Sequence, residues 1–191
     1  MKHQNLVHSN VILIPFAMLV FAPIQQSRGT TYDDEPNVSE YGPRRGDWEM
    51  TLGGSGSSDK DIDIGNASVD ASIGYFFTKD WELSLRQGVI FADTGGETDF
   101  WNGTTRAALD YHFDIDAVQP FVGANFGGFY GDSITDTWAA GLEGGLKFYV
   151  KPETFIFVMG EYQWLFKDSA GAEDNFDNGR FLYSLGIGFN F

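Results

Sequence analysis

The stretch FLYSLGIGFNF, Phe181 to Phe191, decides the fold class, because its apolar residues recur at every second position. One face carries Phe181, Tyr183, Leu185, Ile187, Phe189 and Phe191. The opposite face carries Arg180, Leu182, Ser184, Gly186, Gly188 and Asn190. This alternation predicts a β-strand, since successive side chains of a strand point to opposite faces. Aromatic residues stand at both ends of the apolar face, which is unusual for a soluble strand and typical of one that crosses a membrane.

The composition agrees with membrane-spanning strands better than with membrane-spanning helices. The chain has 191 residues, enough for about one domain, and 42% of them are hydrophobic while 16% are aromatic. Its mean hydropathy of −0.21 is too low for a helical membrane protein, but a transmembrane strand turns every second residue away from lipid. The net charge of −15 argues against a nucleic-acid partner, and the absence of cysteine excludes disulfides and thiolate sites. We predict no cofactor.

Three segments follow one another along the chain. Residues 1–29 contain the apolar run Val11 to Ile24, which is too short to span a bilayer as a helix and predicts a secretory signal peptide. Residues 30–46 are polar and show no period, so we expect a flexible periplasmic segment. Residues 47–191 repeat the two-residue period about eight times, which predicts an all-β antiparallel up-and-down β-barrel of eight strands.

Two of these repeats do not fix which face is apolar. In the fifth repeat, residues 120–130, Phe121 and Phe129 oppose Phe126 and Tyr130. The first half of the seventh repeat carries apolar residues on both faces: Phe155, Ile156, Phe157, Val158 and Met159.

The connections between the predicted strands alternate in length. The short ones cover residues 77–80, 114–119 and 151–153, and the longer ones, rich in Asp, Gly and Ser, cover residues 55–66, 93–100, 131–136 and 167–179. Short turns of such barrels face the periplasm and long loops face outward. An even number of strands then places both termini in the periplasm.

A soluble lipocalin-like barrel would show the same alternation, with its apolar face inside. Two observations favour the transmembrane barrel. The polar face is rich in small residues, as a narrow filled interior requires: Ser68, Ser72, Gly74, Gly88, Gly141, Gly145, Gly186 and Gly188. All tryptophans fall near strand ends in the apolar phase, as an interfacial aromatic girdle requires: Trp48, Trp81, Trp101, Trp138 and Trp164.

Parts of the sequence resemble a known family. The segments that carry the resemblance are Tyr111–Phe113 with Gln119–Gly127, Gly145–Tyr149 with Phe157–Trp164, and the terminal strand. Together they resemble the OmpA-like outer-membrane β-barrel domain family, which implies a location in the bacterial outer membrane and contact with its lipid and lipopolysaccharide. The resemblance specifies a barrel and not an activity.

The terminal strand also resembles the C-terminal signature of bacterial outer-membrane barrels. That signature is known to be read by the barrel-assembly machinery, so the resemblance implies this partner during biogenesis. We take Tyr183, Phe189 and Phe191 as the assembly signal, and we expect the folded protein to be a monomer.

The inward phase carries charges of both signs. They are Glu49, Asp70, Glu82, Arg86, Arg106, Asp110, Glu143, Lys147, Glu161 and Arg180. Such residues form either an internal ion-pair network that fills the lumen or an ion-selective pore constriction. We favour the network, because eight strands enclose little more than side chains.

Neither catalysis nor a metal site has a strong sequence signal. After residue 29 the only histidine is His112, in the sequence His112-Phe113-Asp114, which lacks the His-x-Ser spacing of lipid A deacylases. Asp59, Asp61 and Asp63 are similar to the start of a calcium loop, but Gly65 comes one place too late. The acidic residues near 168–177 have no motif spacing, so we interpret both groups as solvated loops, with divalent cations bridging them to lipopolysaccharide as an open alternative.

The sequence therefore predicts a non-enzymatic, integral outer-membrane barrel with a structural or surface-interaction role in the envelope. The alternatives are a narrow, porin-like passive channel and then an outer-leaflet lipid-modifying enzyme.

Overall fold

The structure is a computed structural model that describes residues 40–58, 64–91, 101–131, 137–166 and 179–191. These residues form eight strands: β1 (Trp48–Ser58), β2 (Ile64–Phe76), β3 (Trp81–Phe91), β4 (Trp101–His112), β5 (Val118–Gly131), β6 (Thr137–Lys151), β7 (Thr154–Phe166) and β8 (Gly179–Asn190). None of the described residues belongs to a helix long and apolar enough to cross a membrane.

The eight strands form a closed barrel in which each strand pairs antiparallel with its neighbours in the sequence. Closure joins β1 to β8, with Met50 opposite Phe189 and Leu52 opposite Ile187. Trp48 and Phe191 exchange two backbone hydrogen bonds of 2.9 Å at the end of this seam. The predicted all-β, up-and-down barrel of eight strands is confirmed, and closure leaves no unpaired strand edge.

The barrel is apolar outside and polar inside. In β6, for example, Leu142 is 58% exposed on the outer surface, whereas the neighbouring Glu143 is buried in the lumen. Lys147 is buried in the same way, and Phe148 beside it is exposed. A soluble barrel requires the opposite arrangement, so the lipocalin-like alternative is wrong.

Several strands extend beyond the predicted boundaries. The structure continues β1 to Ser58, although the sequence places a loop from residue 55 onward. Similarly, β5 begins at Val118, inside the turn predicted for residues 114–119. In β1 the prediction is wrong because small residues such as Ser55 carry no apolar period, while their backbones still pair. Ser55 lies opposite Ser68 in β2 and Ser184 in β8.

The structure resolves the two ambiguous strands. Phe121 and Phe129 are buried in the lumen, and Phe126 is 54% exposed on the outer surface. In β7 the Phe155 ring is fully buried and lies over Gly188 of β8, where a Cβ atom would collide with it. Inward-facing glycines therefore provide the space that these inward-facing rings fill.

Residues 40–47 lie against the end of the barrel that carries the short turns. Gly46 N donates to Phe76 O at 2.7 Å, and Gly42 N donates to Pro152 O at 3.1 Å. The side-chain amide of Gln119 donates to the carbonyl of Tyr41 at 3.3 Å. Gly42 and Gly46 have φ values of 97° and 94°, which glycine adopts at little cost.

Candidate functional site in the barrel lumen

Strand alternation places all ten sequence-predicted charges on the inner face of the barrel. Seven of them are buried: Glu49, Glu82, Arg106, Asp110, Glu143, Lys147 and Glu161. Asp70, Arg86 and Arg180 are half-buried. Nine of the side chains form three groups at different heights in the lumen, and Asp70 lies apart from them.

The group nearest the short turns is centred on Lys147. Its Nζ lies 2.6 Å from both carboxylate oxygens of Glu49 on β1 and 3.4 Å from Glu82 Oε2 on β3. His112 Nε2 lies 3.0 Å from the same Glu82 oxygen. Asn190 Nδ2 donates to Glu49 Oε2 at 3.0 Å. One ammonium group thus holds together carboxylates from two different strands.

Aromatic rings surround this ammonium group. Lys147 Nζ lies 4.8 Å from the ring centroid of Phe155 and 5.6 and 5.7 Å from those of Phe76 and Phe121. Distances below about 6 Å allow cation–π attraction, which is stronger where water is excluded. The rings therefore stabilise the cation.

The middle group is centred on Arg86 of β3. Its Nη2 lies 2.7 Å from Asp110 Oδ2 and 2.6 Å from Glu143 Oε1, and its Nη1 donates to Glu143 Oε2 at 2.8 Å. Asn125 of β5 donates to the same Glu143 carboxylate. The guanidinium thus binds Glu143 through two nitrogens and also holds a carboxylate on β4.

The group nearest the long loops contains two arginines. Arg106 Nη1 donates to Glu161 Oε2 at 2.6 Å, and Gln163 Nε2 donates to Glu161 Oε1 at 3.1 Å. Arg180 donates to Gln163 Oε1 through Nε at 2.9 Å and through Nη2 at 2.7 Å. Its guanidinium carbon lies 4.6 Å from the ring centroid of Phe129. Gln163 therefore links Arg180 to the Arg106–Glu161 pair.

Asp70 lies apart from these three groups. Its Oδ2 accepts hydrogen bonds from Ser55 Oγ at 2.6 Å and Ser68 Oγ at 2.9 Å. Within the parts of the chain that the structure describes, no cation lies within ion-pair distance of this carboxylate. Asp70 and Arg180 are thus the two predicted charges that hydroxyl and amide groups hold, rather than an opposite charge.

Glycines on the inner face make room for the carboxylates. A Cβ atom at Gly74 would collide with the Glu82 carboxylate, and one at Gly123 would collide with that of Asp110. A Cβ atom at Gly141 would collide in the same way with the Glu161 carboxylate. Small residues on one strand therefore set the position of a charged side chain on a neighbouring strand.

A cavity of about 50 Å³ lies among these groups. Residues of all three groups line it, together with Ser72, Ser84 and Ser184 from β2, β3 and β8. A volume of this size holds roughly three or four water molecules.

The network includes uncharged polar residues that charge patterning does not detect. Asn125, Gln163 and Asn190 are buried and bind the carboxylates directly or bridge them to an arginine. Tyr149 OH donates to Asn190 Oδ1 at 2.9 Å. Strand phase alone would have found Tyr149, Gln163 and Asn190, because each lies an even number of residues from a predicted charge on its own strand. Those charges are Lys147, Glu161 and Arg180, respectively.

The predicted girdle residues lie at or near strand ends. Trp48 and Trp81 begin β1 and β3 at the short-turn end, and Trp138 is the second residue of β6 at the long-loop end; all three are exposed. Trp164 lies near the long-loop end of β7, and Trp101 is the first residue of β4. Tyr183, Phe189 and Phe191 are exposed on the outer face at the β1–β8 seam.

The two acidic loop groups lie outside the described residues. They comprise Asp59, Asp61 and Asp63 and residues 168–177. Within the described ranges, no three His, Cys, Asp or Glu side chains are placed to hold a metal ion.

Comparison with known proteins places the barrel among outer-membrane folds. No protein-family model and no curated protein sequence matches this chain. The N-terminal β-barrel domain of Pseudomonas aeruginosa OprF is 23% identical, with a TM-score of 0.58 and coverage of 78% of this chain and 100% of that domain.

Two further crystal structures share the fold. Neisserial surface protein A is 18% identical with a TM-score of 0.58 and covers 76% of this chain and 96% of its own. The outer membrane protein OprG of Pseudomonas aeruginosa is 14% identical with a TM-score of 0.52, and the match covers 81% of this chain and 99% of OprG. The chain thus has the fold of the small, OmpA-like, eight-stranded transmembrane β-barrels.

Proposed function

We propose that the chain is a non-enzymatic integral protein of the bacterial outer membrane, with a closed lumen and a structural or surface-interaction role. One observation carries this proposal: ion pairs cross the lumen between strands that are not neighbours. Arg86 on β3 binds Glu143 on β6, and Arg106 on β4 binds Glu161 on β7. Lys147 on β6 binds carboxylates on β1 and β3. These ion pairs occupy the part of the lumen that an open pore would need.

The small size of the cavity among the charged groups supports a filled barrel. Eight strands enclose an interior only wide enough for side chains, and the cavity here has about 50 Å³. A hydrated ion path along the whole lumen requires far more water than the roughly three or four molecules that fit this cavity. With a closed lumen, the long loops are the part of the protein available for surface interactions.

The outer surface supports the proposed location and orientation. Exposed tryptophans at both ends of the barrel, such as Trp81 and Trp138, match the two interfaces of a membrane. OprG is described as an outer membrane protein, and the neisserial relative as a surface protein. We place the short turns and both termini in the periplasm, with residues 1–29 as the signal peptide and residues 30–46 as a periplasmic segment.

The proposed partners follow from the same surface. Outer-membrane lipid and lipopolysaccharide contact the apolar band, and the barrel-assembly machinery binds the strand that contains Tyr183, Phe189 and Phe191. These three side chains are exposed beside the closing seam, where a partner could hold β8 before it pairs with β1. We propose that the folded protein is a monomer.

The environment of His112 supports the absence of catalysis. The imidazole is buried in the lumen, and its Nε2 contacts Glu82 Oε2 at 3.0 Å. Its ring lies between Phe76 and Phe121, with centroid distances of 5.1 and 5.4 Å. A lipid in the outer leaflet lies outside the barrel wall and does not reach this ring.

Two measurements test the proposal. Fractionation should place the protein in the outer membrane, and electrophoresis should show a folded form that shifts only after boiling. Planar bilayers that contain the purified protein should show at most small, rare conductance steps. A protein recovered in the soluble fraction, or one whose mobility does not change on heating, would contradict the membrane location.

A narrow passive channel is the second candidate, because the cavity has a polar, charged lining. Pore-lining charges are hydrated, so their truncation changes ion preference without destabilising the barrel. Steady currents whose selectivity changes in Glu143→Ala, together with normal stability of that variant, would favour the channel over the closed barrel.

A further inference from the structure

Inward-facing residues at the short-turn end of the barrel are buried, although they stand at the ends of their strands. Phe76 ends β2, His112 ends β4 and Asn190 ends β8, and their exposed fractions are 0%, 2% and 1%. Gln119, the second residue of β5, is 3% exposed. Side chains at the mouth of an open barrel would meet water, so another part of the chain covers this end.

Residues 40–46, which we call the lid, precede β1 and reach across this end. Beside β1, Gly46 N donates to Phe76 O at 2.7 Å. At the far side, the side-chain amide of Gln119 on β5 donates to Tyr41 O at 3.3 Å. The strands follow sequence order around the closed barrel of eight, so β5 lies opposite β1. The lid therefore spans the mouth of the barrel.

Gly42 brings the lid backbone close to the lumen. Its N donates to Pro152 O, in the turn between β6 and β7, at 3.1 Å. A Cβ atom on Gly42 would collide with the side-chain amide of Gln119, and its φ of 97° is one that glycine adopts at little cost. Gln119 is buried and pairs with Lys147 on β6. The lid thus lies directly over a neighbour of the lysine that holds the short-turn charge group together.

We propose that the lid closes the short-turn mouth of the barrel and keeps dissolved molecules away from the charge group centred on Lys147. The inference rests on the closed lumen of the proposed function, since a lumen open at the long-loop end would admit the same molecules from there. Each strand is paired on both sides, whereas the lid is held at separate points. The lid can therefore open locally while the barrel stays folded.

His112 reports on the lid without an added probe. It is the only histidine after residue 29, and it lies at the covered end of the barrel. Because Nε2 faces a Glu82 oxygen at 3.0 Å, Nε2 carries the proton of the neutral ring. Its Nδ1 has no hydrogen-bond partner among the described protein atoms. Diethyl pyrocarbonate modifies an unprotonated imidazole nitrogen, so access to the ring limits its reaction with Nδ1.

The rate of this modification tests the lid. The purified full-length chain, folded in detergent micelles, is treated with diethyl pyrocarbonate, and mass spectrometry of the His112 peptide follows the reaction. The rate should be at least about tenfold lower than in the same chain unfolded in urea, as expected for a site that reacts only after local opening.

Two variants with the same new side chain compare the two faces of the lid. Gly42→Val pushes a side chain onto Gln119 and should raise the rate at His112 at least about tenfold, because the lid no longer fits over the mouth. Arg45→Val changes an exposed position of the lid and should leave the rate unchanged.

Deletion of residues 41–45 uncovers the mouth in a second way and should raise the rate by a similar factor. Electrophoresis with and without boiling checks that each variant is folded. A rate in the folded wild-type chain equal to that in the unfolded chain would overturn the lid. Wild-type rates in both Gly42→Val and the deletion would overturn it as well.

A thiol deeper in the lumen separates the lid from the closed lumen. The chain has no cysteine, and Thr104 is buried eight residues before His112 on β4. The thiol of Thr104→Cys should stay unreactive toward a small water-soluble thiol reagent, both with the lid intact and together with Gly42→Val. Its reaction with the lid intact would contradict the closed lumen and remove the basis of the lid. Fast reaction at His112 in the wild-type chain, with that thiol protected, would overturn the lid alone.

Discussion

Replacing Arg86 with alanine would leave two buried carboxylates, those of Asp110 and Glu143, without their cation. The side chain of Arg86 is itself mostly buried, and the two carboxylates have almost no access to solvent. Removing one partner of a buried ion pair typically costs about 3–5 kcal/mol, because the other charge remains desolvated. Here two charges lose their partner, while water in the adjacent cavity reduces the penalty, so we expect a loss of about 3–5 kcal/mol.

Urea unfolding of the barrel in lipid vesicles, followed by tryptophan fluorescence, measures this loss. With a slope of about 2 kcal/mol per molar urea, the midpoint of Arg86→Ala should fall by roughly 1.5–2.5 M. Arg45→Ala is the matched control, because Arg45 is exposed and precedes the barrel. It should change stability by no more than about 0.5 kcal/mol.

A double variant checks the physical cause. If the cost of Arg86→Ala comes from unpaired charge, adding Asp110→Asn should recover at least about 1 kcal/mol, which is a coupling typical of contacting groups. A loss in Arg86→Ala no larger than that of Arg45→Ala would refute the argument that the lumen is closed by desolvated ion pairs. A large loss that Asp110→Asn does not reduce would assign the effect to packing instead.

The remaining predictions concern the lipid face, the closing seam and the lumen glycines. Leu142→Arg and Leu109→Arg, near the middle of exposed faces, should cost about 2–4 kcal/mol in reversible unfolding in lipid; losses near zero would place these residues in water. Phe191→Asp should reduce the amount of heat-modifiable barrel in the outer membrane, and normal amounts would count against the assembly signal. Gly123→Ala brings a Cβ onto the Asp110 carboxylate and 2.7 Å from the Leu109 carbonyl, so it should cost about 1–3 kcal/mol by the same unfolding assay. Gly160→Ala meets nothing within 4 Å and should be nearly neutral; equal costs for the two glycines would contradict the packing argument.

The sequence alone determined the fold class and the direction of most side chains. The side-chain period of a strand is two, so the alternation in Phe181 to Phe191 is sufficient to separate an outer from an inner face. The burial pattern of β8 follows that alternation, with Leu182 and Asn190 buried and Leu185 and Ile187 exposed. The same local rule gave the number of strands, because each repeat ends at a turn.

The tertiary structure decided what alternation leaves undetermined. Phe121 and Phe126 are equally apolar, so only the space over Gly145 on the neighbouring strand shows that Phe121 is the inward residue. The strand boundary near Ser55 also depends on pairing, because backbone hydrogen bonds form regardless of side-chain hydropathy.

The partners of the lumen charges depend on the closed barrel. Arg86 and Glu143 are 57 residues apart, and nothing local in the sequence distinguishes this pair from other combinations of lumen charges. Barrel closure fixes the stagger of the strands and hence which side chains meet across the lumen at one height. That geometry gives Arg86 two carboxylate partners and places Asp70 among serines. The sequence does not show these contacts, because strand phase sets only the direction of a side chain and not its height or its neighbours.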